Sequence, residues 1–318
     1  MHNGWGVGVV IPARNEEDFI EGVLSTIPHC VDQVIVINDG SNDKTPERVE
    51  SFITDNYSLE LINLDGLGVG AAIDTGHRRM LEVCQKPFVS VVMAGDGQMD
   101  PEDLVTLINP IIDGKYDHVK GNRFLHHEGT NTMPKLRKIA SMILGFLTTL
   151  ASGRKTQDPQ CGYTATSNEV LENWNWKKSW PGYGYPNFWL IQLSCYSYRV
   201  GEVPVRAIYG EEKSQLKMIK FFIFVGAMMF IMHHKRCFSM LFSRYITPHA
   251  LFAFIAYIIG WIALIPGIST DLEREFDSTP IMIIMITTIC WTCAHILDRL
   301  AVKTRMELKI NAKARQKK

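Results

Sequence analysis

Short runs rich in Val and Ile recur through the first hundred residues, and their lack of strict alternation constrains the fold more than any other feature of the chain. Val7 to Ile11, Gln33 to Ile37, Leu59 to Leu64 and Phe88 to Met93 are separated by amphipathic stretches of helical period. A strand with one wet face alternates apolar and polar residues. A continuous run is covered on both faces, as helical crossovers between parallel strands require. The pattern predicts an α/β sheet, with a further strand around His118 to Lys120.

After about residue 215 the composition shifts. His249 to Ile268 and Pro280 to Leu297 are apolar over nearly the length needed to cross a bilayer core. They predict a transmembrane hairpin. The segment between them, Asp271 to Asp277, is net acidic, whereas Lys235, Arg236 and Arg244 precede the pair and Lys303, Arg305, Lys309, Lys313, Arg315, Lys317 and Lys318 follow it. The positive-inside rule then sets both flanks in the cytoplasm. Leu216 to Met232 is apolar but short and is expected to lie on the membrane as an interfacial helix, with a partial third span as the alternative. The expected boundaries are a catalytic domain over 1–215, juxtamembrane helices over 216–248, two membrane helices over 249–300 and a basic cytoplasmic tail over 301–318. No cleaved signal is expected at the N-terminus.

A formal net charge of zero gives no electrostatic reason to expect nucleic acid as a partner. Seven cysteines, an odd number, argue against a secreted disulfide framework.

The polar clusters fall where predicted strands end. Pro12-Ala13-Arg14-Asn15-Glu16 follows the first strand and Asn38-Asp39-Gly40-Ser41-Asn42-Asp43-Lys44-Thr45 closes the second. In open α/β sheets ligands bind at that edge, where helix N-termini offer N–H groups to phosphates. Asp65-Gly66-Leu67-Gly68-Val69-Gly70 follows the third strand rather than the first, which disfavours a dinucleotide fold, and no Gly-Lys-Ser/Thr follows to make a Walker loop. Asp96 and Gln98, two apart after the fourth strand, offer oxygen donors to a hard divalent cation. Arg137 and Ser141 are four apart on a predicted helix, so they share a face able to hold one phosphate.

In this order the motifs resemble the inverting family 2 glycosyltransferases, and within them the dolichyl-phosphate mannose synthase and polyprenyl-phosphate glycosyltransferase group. The likeness rests on Pro-x-x-Asn-Glu, Asp-Gly-Ser-x-Asp-x-Thr, Gly-Asp-Gly-Gln-x-Asp-Pro, Gly121-Asn122-Arg123 and Asp158-Pro159-Gln160-Cys161-Gly162-Tyr163. It implies a GT-A fold, a Rossmann-like mixed sheet, carrying a C-terminal transmembrane helical hairpin. It also implies a nucleotide-sugar donor, GDP- or UDP-linked, and Mg2+ or Mn2+. Carried over, it makes Pro12, Asn15, Glu16, Asp39, Gly70 and Asp96 donor contacts and Asp96 and Gln98 the metal pair. Arg123, Arg137, Ser141 and Lys213 become ligands of an acceptor phosphate, and Asp96, Arg123 and Asp158 catalytic residues. Ala94 stands at the first place of the family's Asp-x-Asp, so one carboxylate of that motif is absent, and Asn187 stands where many relatives carry an acidic residue.

The function implied is transfer of a hexose to a polyprenyl phosphate, dolichyl or undecaprenyl, by an integral membrane protein whose catalytic part faces the cytoplasm. A glycan or other lipid-linked acceptor is one alternative, and a catalytically inactive membrane scaffold another. Oligomeric state is open, with Gly260 and Ala263 as small residues through which hairpins of two copies could pack.

Overall fold

The computed structural model describes residues 1–127, 130, 133–208, 218–265, 274 and 280–316. They form two compact units, one of 1–147, 156–190 and 198–227, the other of 148–155, 191–197 and 228–318.

The first unit is built on one seven-stranded sheet ordered β3-β2-β1-β4-β6-β5-β7. Its strands are β1 (Gly6–Ala13), β2 (Gln33–Asp39), β3 (Ser58–Leu64), β4 (Phe88–Val92), β5 (His118–Asn122), β6 (Thr164–Ser167) and β7 (Val200–Pro204). Pairing is parallel except at β6, which runs antiparallel between β4 and β5. The predicted strands are all present and the sheet is mixed, as a GT-A fold requires. The sequence signal for β6 is weak because the strand has four residues, Thr-Ala-Thr-Ser, and only one of them is aliphatic.

The helices of this unit are α1 (Ile20–Ser25), α2 (Thr45–Ser51), α3 (Val69–Val83), α4 (Leu104–Ile112), the larger part of α5 (Lys135–Ser152), α6 (Asn168–Glu172), and the first parts of α7 (Tyr185–Cys195) and α8 (Met218–Leu241). One face of the sheet is dry. Val7, Val9, Ile11, Val89, Val91, Val119 and Ala165 join Ile20 and Leu24 of α1 and Leu104, Leu107 and Ile108 of α4 in a single core.

The other face carries a polar layer. Ser90 on β4 is within 2.9 Å of His77 Nδ1 on α3, and Thr166 on β6 within 2.9 Å of His118 Nδ1 on β5. Trp189 of α7 packs over both imidazoles, at ring separations of 5.4 and 6.1 Å. Burial holds both histidines neutral, with pKa about 3 in each case, Lys120 adding to the effect on His118. The unfolded chain takes up these protons near pH 6.5 and the folded one does not, so stability is full above about pH 6.5 and falls as the pH drops toward 3. The expected slope is about 1.4 kcal/mol per pH unit for each histidine. Thermal unfolding between pH 7.5 and pH 5.5 checks this, and a flat profile would contradict it.

The second unit holds the rest of α8, then α9 (Pro248–Ala263) and α10 (Pro280–Gln316). Among the described residues two helices are long and apolar enough to cross a bilayer, Lys220–Leu241 and Met282–Arg315, and Pro248–Ala263 is a shorter apolar helix. From Met218 on, the segment expected to lie on the membrane is the start of one 24-residue helix. Thr247 caps α9, its Oγ1 accepting from the Ala250 N–H at 3.3 Å, and Pro248 fills the first position.

Helices α9 and α10 pair antiparallel, since Tyr257 meets His295 and Trp261 meets Trp291. Small residues allow this approach: a Cβ on Gly260 would lie 2.3 Å from Trp291 Nε1. Gly260 and Ala263, considered above for contact between copies, are thus buried inside the hairpin. The basic segment is helical as far as Gln316. Lys309 Nζ donates to the Tyr196 carbonyl at 2.7 Å while Arg305 donates to the Cys195 carbonyl at 3.3 Å, so these cations satisfy the open C-terminal end of α7.

Candidate active site

Parallel strands end at a common edge, so the segments following β1, β2, β3 and β4 meet there. The first two are laced together. Asn15, in the left-handed region at φ 58°, donates its N–H to Ser41 Oγ and accepts from the Asn42 N–H at 2.8 Å, while the Glu16 N–H donates to Thr45 Oγ1. Asp39 anchors the third segment, its two oxygens accepting from the Leu67 and Gly68 N–H groups at 2.7 and 2.8 Å. Gly40, at φ 71°, lets that segment close: a Cβ there would lie 2.9 Å from Gly66 N.

Asn15 and Asp39 therefore hold the shape of the edge, while Pro12 and Glu16 stand beside them half-buried. Gly70 differs from expectation. Its N–H donates to the Pro181 carbonyl at 2.7 Å, and a Cβ would meet Trp180 O at 2.0 Å. The missing side chain admits residues 180–182 onto the start of α3 and leaves this residue covered.

Beyond β4 a cavity of ≈ 160 Å³ gathers most of the remaining expected residues. Asp96, Gln98, Arg123 and Arg137 share its wall with Gln160 and Arg206. Asp96 Oδ1 accepts from the Gln98 N–H at 3.0 Å, which turns the loop back on itself. Burial raises the Asp96 carboxyl above its usual range, and the charge of Arg137 opposes the shift. Among the described residues Asp96 makes no ion pair. A desolvated carboxylate that lacks a salt-bridge partner, with a carboxamide two residues on, is a donor set that a hard divalent cation fits. Ala94 supplies no side-chain oxygen, so Asp96 is the sole carboxylate of the motif.

Arg123 and Asp158 form one unit rather than two separate groups. Arg123 donates from Nε at 2.7 Å to one carboxylate oxygen and from a terminal nitrogen at 2.8 Å to the other, and its backbone N–H reaches the same group at 3.1 Å. Burial works to raise the Asp158 carboxyl, and the bound guanidinium overrides it, leaving the group below its usual range. Asp158 is fully buried, so its part is to fix Arg123 against the cavity. Nearby, Asn122 Nδ2 donates to Glu202 at 2.7 Å, and burial pushes that carboxyl up.

Ser141 is 3% exposed, and among the described residues it does not line the arginine cavity. Arg137, four residues earlier, does. Lys213 lies outside the described residues.

The sequence reading missed Arg206. The Met99–Ala207 bridge and the Ile208 N–H donating to Gln98 O at 3.1 Å dock its segment on the Asp96 loop, while the Arg206 N–H donates to Asp103 at 2.6 Å. The signal lay in pairing across a hundred residues, which local pattern does not carry.

The fold is shared with glucosyl-3-phosphoglycerate synthase of Mycobacterium tuberculosis, in a structure with Mn2+ and uridine diphosphate, at a TM-score of 0.53 and 20% identity over 74% of this chain and 80% of that one. Similar curated proteins include the UDP-N-acetylglucosamine–dolichyl-phosphate N-acetylglucosaminyltransferase of Methanococcus voltae, 28% identical over 64% of this chain and 86% of its own length. Another is a dolichyl-phosphate beta-glucosyltransferase of Trichomonas vaginalis, 29% identical over 51% of each. The family model for glycosyl transferase family 2 matches residues 8–174, more than half of the chain, and it covers the strand-edge segments and the Asp96 loop. With that match on a GT-A sheet, the chain belongs to glycosyl transferase family 2 and is an enzyme that transfers sugars.

Proposed function

We propose that this chain transfers a hexose from a nucleotide-sugar to a polyprenyl phosphate, with inversion, on the cytoplasmic side of a membrane. The observation that carries the reading is one cavity walled, among the described residues, by a single carboxylate and three arginines, in a chain with helices long enough to cross a bilayer. The activities named for the similar proteins, which act on dolichyl phosphate, support it.

A phosphate monoester loses its second proton at roughly pH 6, so the acceptor is already a nucleophile at neutral pH and needs no general base. This agrees with uncharged Asn187. The protein's work is orientation and charge neutralisation. One acceptor oxygen bonds to the anomeric carbon, the bond from that carbon to the diphosphate breaks, and the electron pair leaves with the nucleoside diphosphate. Asp96 and Gln98 are the residues that would hold Mg2+ or Mn2+, which when bound neutralises charge on the diphosphate. Arg123, fixed by Asp158, and Arg137 orient the acceptor phosphate, with Arg206 completing the cationic wall. Pro12, Asn15, Glu16 and Asp39 shape the seat for the nucleoside.

Helix α5 fits a nearby membrane. Leu136, Ile139, Ile143 and Phe146 repeat at helical spacing and are exposed, with Lys135 and Lys138 at the same end. Basic flanks on both sides of the hairpin support cytoplasmic placement.

The test is transfer of labelled sugar from a panel of GDP- and UDP-sugars to polyprenyl phosphate by the purified full chain, with and without Mn2+. Label in the lipid phase is expected, and its absence with every donor would overturn the reading. Arg137→Ala is expected to raise KM for the lipid phosphate on the order of ten- to a hundred-fold, the size of a lost charge-assisted hydrogen bond, with a smaller change in KM for the donor.

A further inference from the structure

A second cavity adjoins the arginine-lined one. It measures ≈ 180 Å³, and Gln160 and Gly162 line both, so the two meet across that turn. Nothing in the proposed phosphate chemistry uses it.

Its chemistry is the opposite of its neighbour's. Among the described residues no arginine and no carboxylate lines it. Its one ammonium, Lys120, is fully buried and donates to the Cys161 carbonyl, and its two imidazoles are held neutral by burial. An anion entering here would lose its hydration with little returned, so phosphates and uronic acids are excluded. One wall is apolar, built from Val69, Ile73, Pro186, Trp189 and Leu190. Trp189 is rigidly set there, stacked on Trp174 at 3.9 Å between ring centres.

The mouth carries an amide. Gln160 Nε2 donates to Asn187 Oδ1 at 2.7 Å, and Asn187 is fully buried. That bond fixes the carboxamide's orientation where the two cavities join. An apolar cavity of about 150 Å³ takes up a benzene-sized guest, so this one has room for a compact substituent on a sugar ring. The guest must be uncharged, part apolar and part amide-like. Among common sugar substituents an acetamido group meets all three demands: its methyl suits the indole wall, and its N–H and C=O suit a carboxamide. A bare hydroxyl meets only one.

We propose that this cavity receives the acetamido arm of an N-acetylhexosamine donor, so that the sugar transferred is a 2-acetamido sugar. The inference rests on the transferase reading above and narrows it.

The experiment compares kcat/KM for UDP-N-acetylglucosamine and UDP-glucose, which differ only at C2, with polyprenyl phosphate as acceptor and the full chain as enzyme. Wild type is expected to favour the acetamido donor by about ten-fold or more, the range that one well-fitted group provides. Val69→Phe and Ile73→Phe, which intrude on the apolar wall, are expected to cut that ratio by about ten-fold or more. Turnover of UDP-glucose reports whether each variant is folded. Equal use of the two donors, preference for an unsubstituted hexose, or an unchanged ratio in both variants would overturn the cavity's role while leaving the transferase reading intact. Transfer from no nucleotide-sugar at all would remove both.

Discussion

Asp96→Asn is expected to lower kcat for sugar transfer on the order of a thousand-fold while the melting temperature stays at or above that of the wild type. The size follows from losing the single carboxylate among the described residues of the cavity, where charge on the departing diphosphate must be met in a site shielded from water. The stability half follows from the raised Asp96 carboxyl. Burial disfavours its ionised form in the fold, whereas the unfolded chain ionises it freely, so at neutral pH the native state carries a cost that the neutral amide removes. Asparagine keeps an oxygen to accept the Gln98 N–H, so the turn is preserved. A residue that is functionally required and mildly destabilising is the usual mark of an active site. Steady-state transfer assays beside thermal melting decide it. An Asp96→Asn variant retaining about a tenth of wild-type kcat, or one inactive because it melts early, would contradict the assignment.

Much of the sheet was legible because its strands are short aliphatic runs, and the family motifs lie where those runs stop. Val7, Ile35 and Val91 are buried on both sides of the sheet's plane, as continuous hydrophobicity implies. The site was legible to the extent that its residues are local in sequence: Asp96 and Gln98 sit on one turn and fall on one cavity. It was less legible where chemistry depends on distant pairing. Asp158 is spent on Arg123, Asp39 on the Leu67–Gly68 backbone, and Arg206 arrives through a strand-like contact between residues about a hundred apart in sequence. The polar layer of Ser90, His118 and Thr166 was hidden for another reason. Ser90 lies between two valines, His118 and Thr166 each have one apolar neighbour, and nothing in a single sequence tells a hydrogen-bonded interior pair from a surface one.

The largest effect on stability is expected in the second unit, at Arg236 and Asp298. Both side chains are fully buried, and Arg236 meets the two carboxylate oxygens at 2.9 and 2.6 Å while its Nε donates to the Ala151 carbonyl at 2.9 Å. Every strong donor direction of that fork finds an acceptor. Nothing in the linear pattern pointed to the pair, because Asp298 only marks the end of an apolar run and Arg236 reads as one of several flanking cations. A guanidinium does not deprotonate to escape burial, so Asp298→Ala strands a charge in a dry interior, at an expected cost of about 3–5 kcal/mol. The helix pair has alternatives that a charge does not. Replacing both groups by apolar residues of similar volume, Arg236→Met with Asp298→Leu, removes the desolvation cost along with the attraction, and such exchanges are often neutral. The double variant is therefore expected to melt above the Asp298→Ala single variant in the same detergent, although it lacks more of the native hydrogen bonds. A double variant that melts at or below the single one would mean that the Ala151 contact, and not the ion pair, carries the stability of this junction.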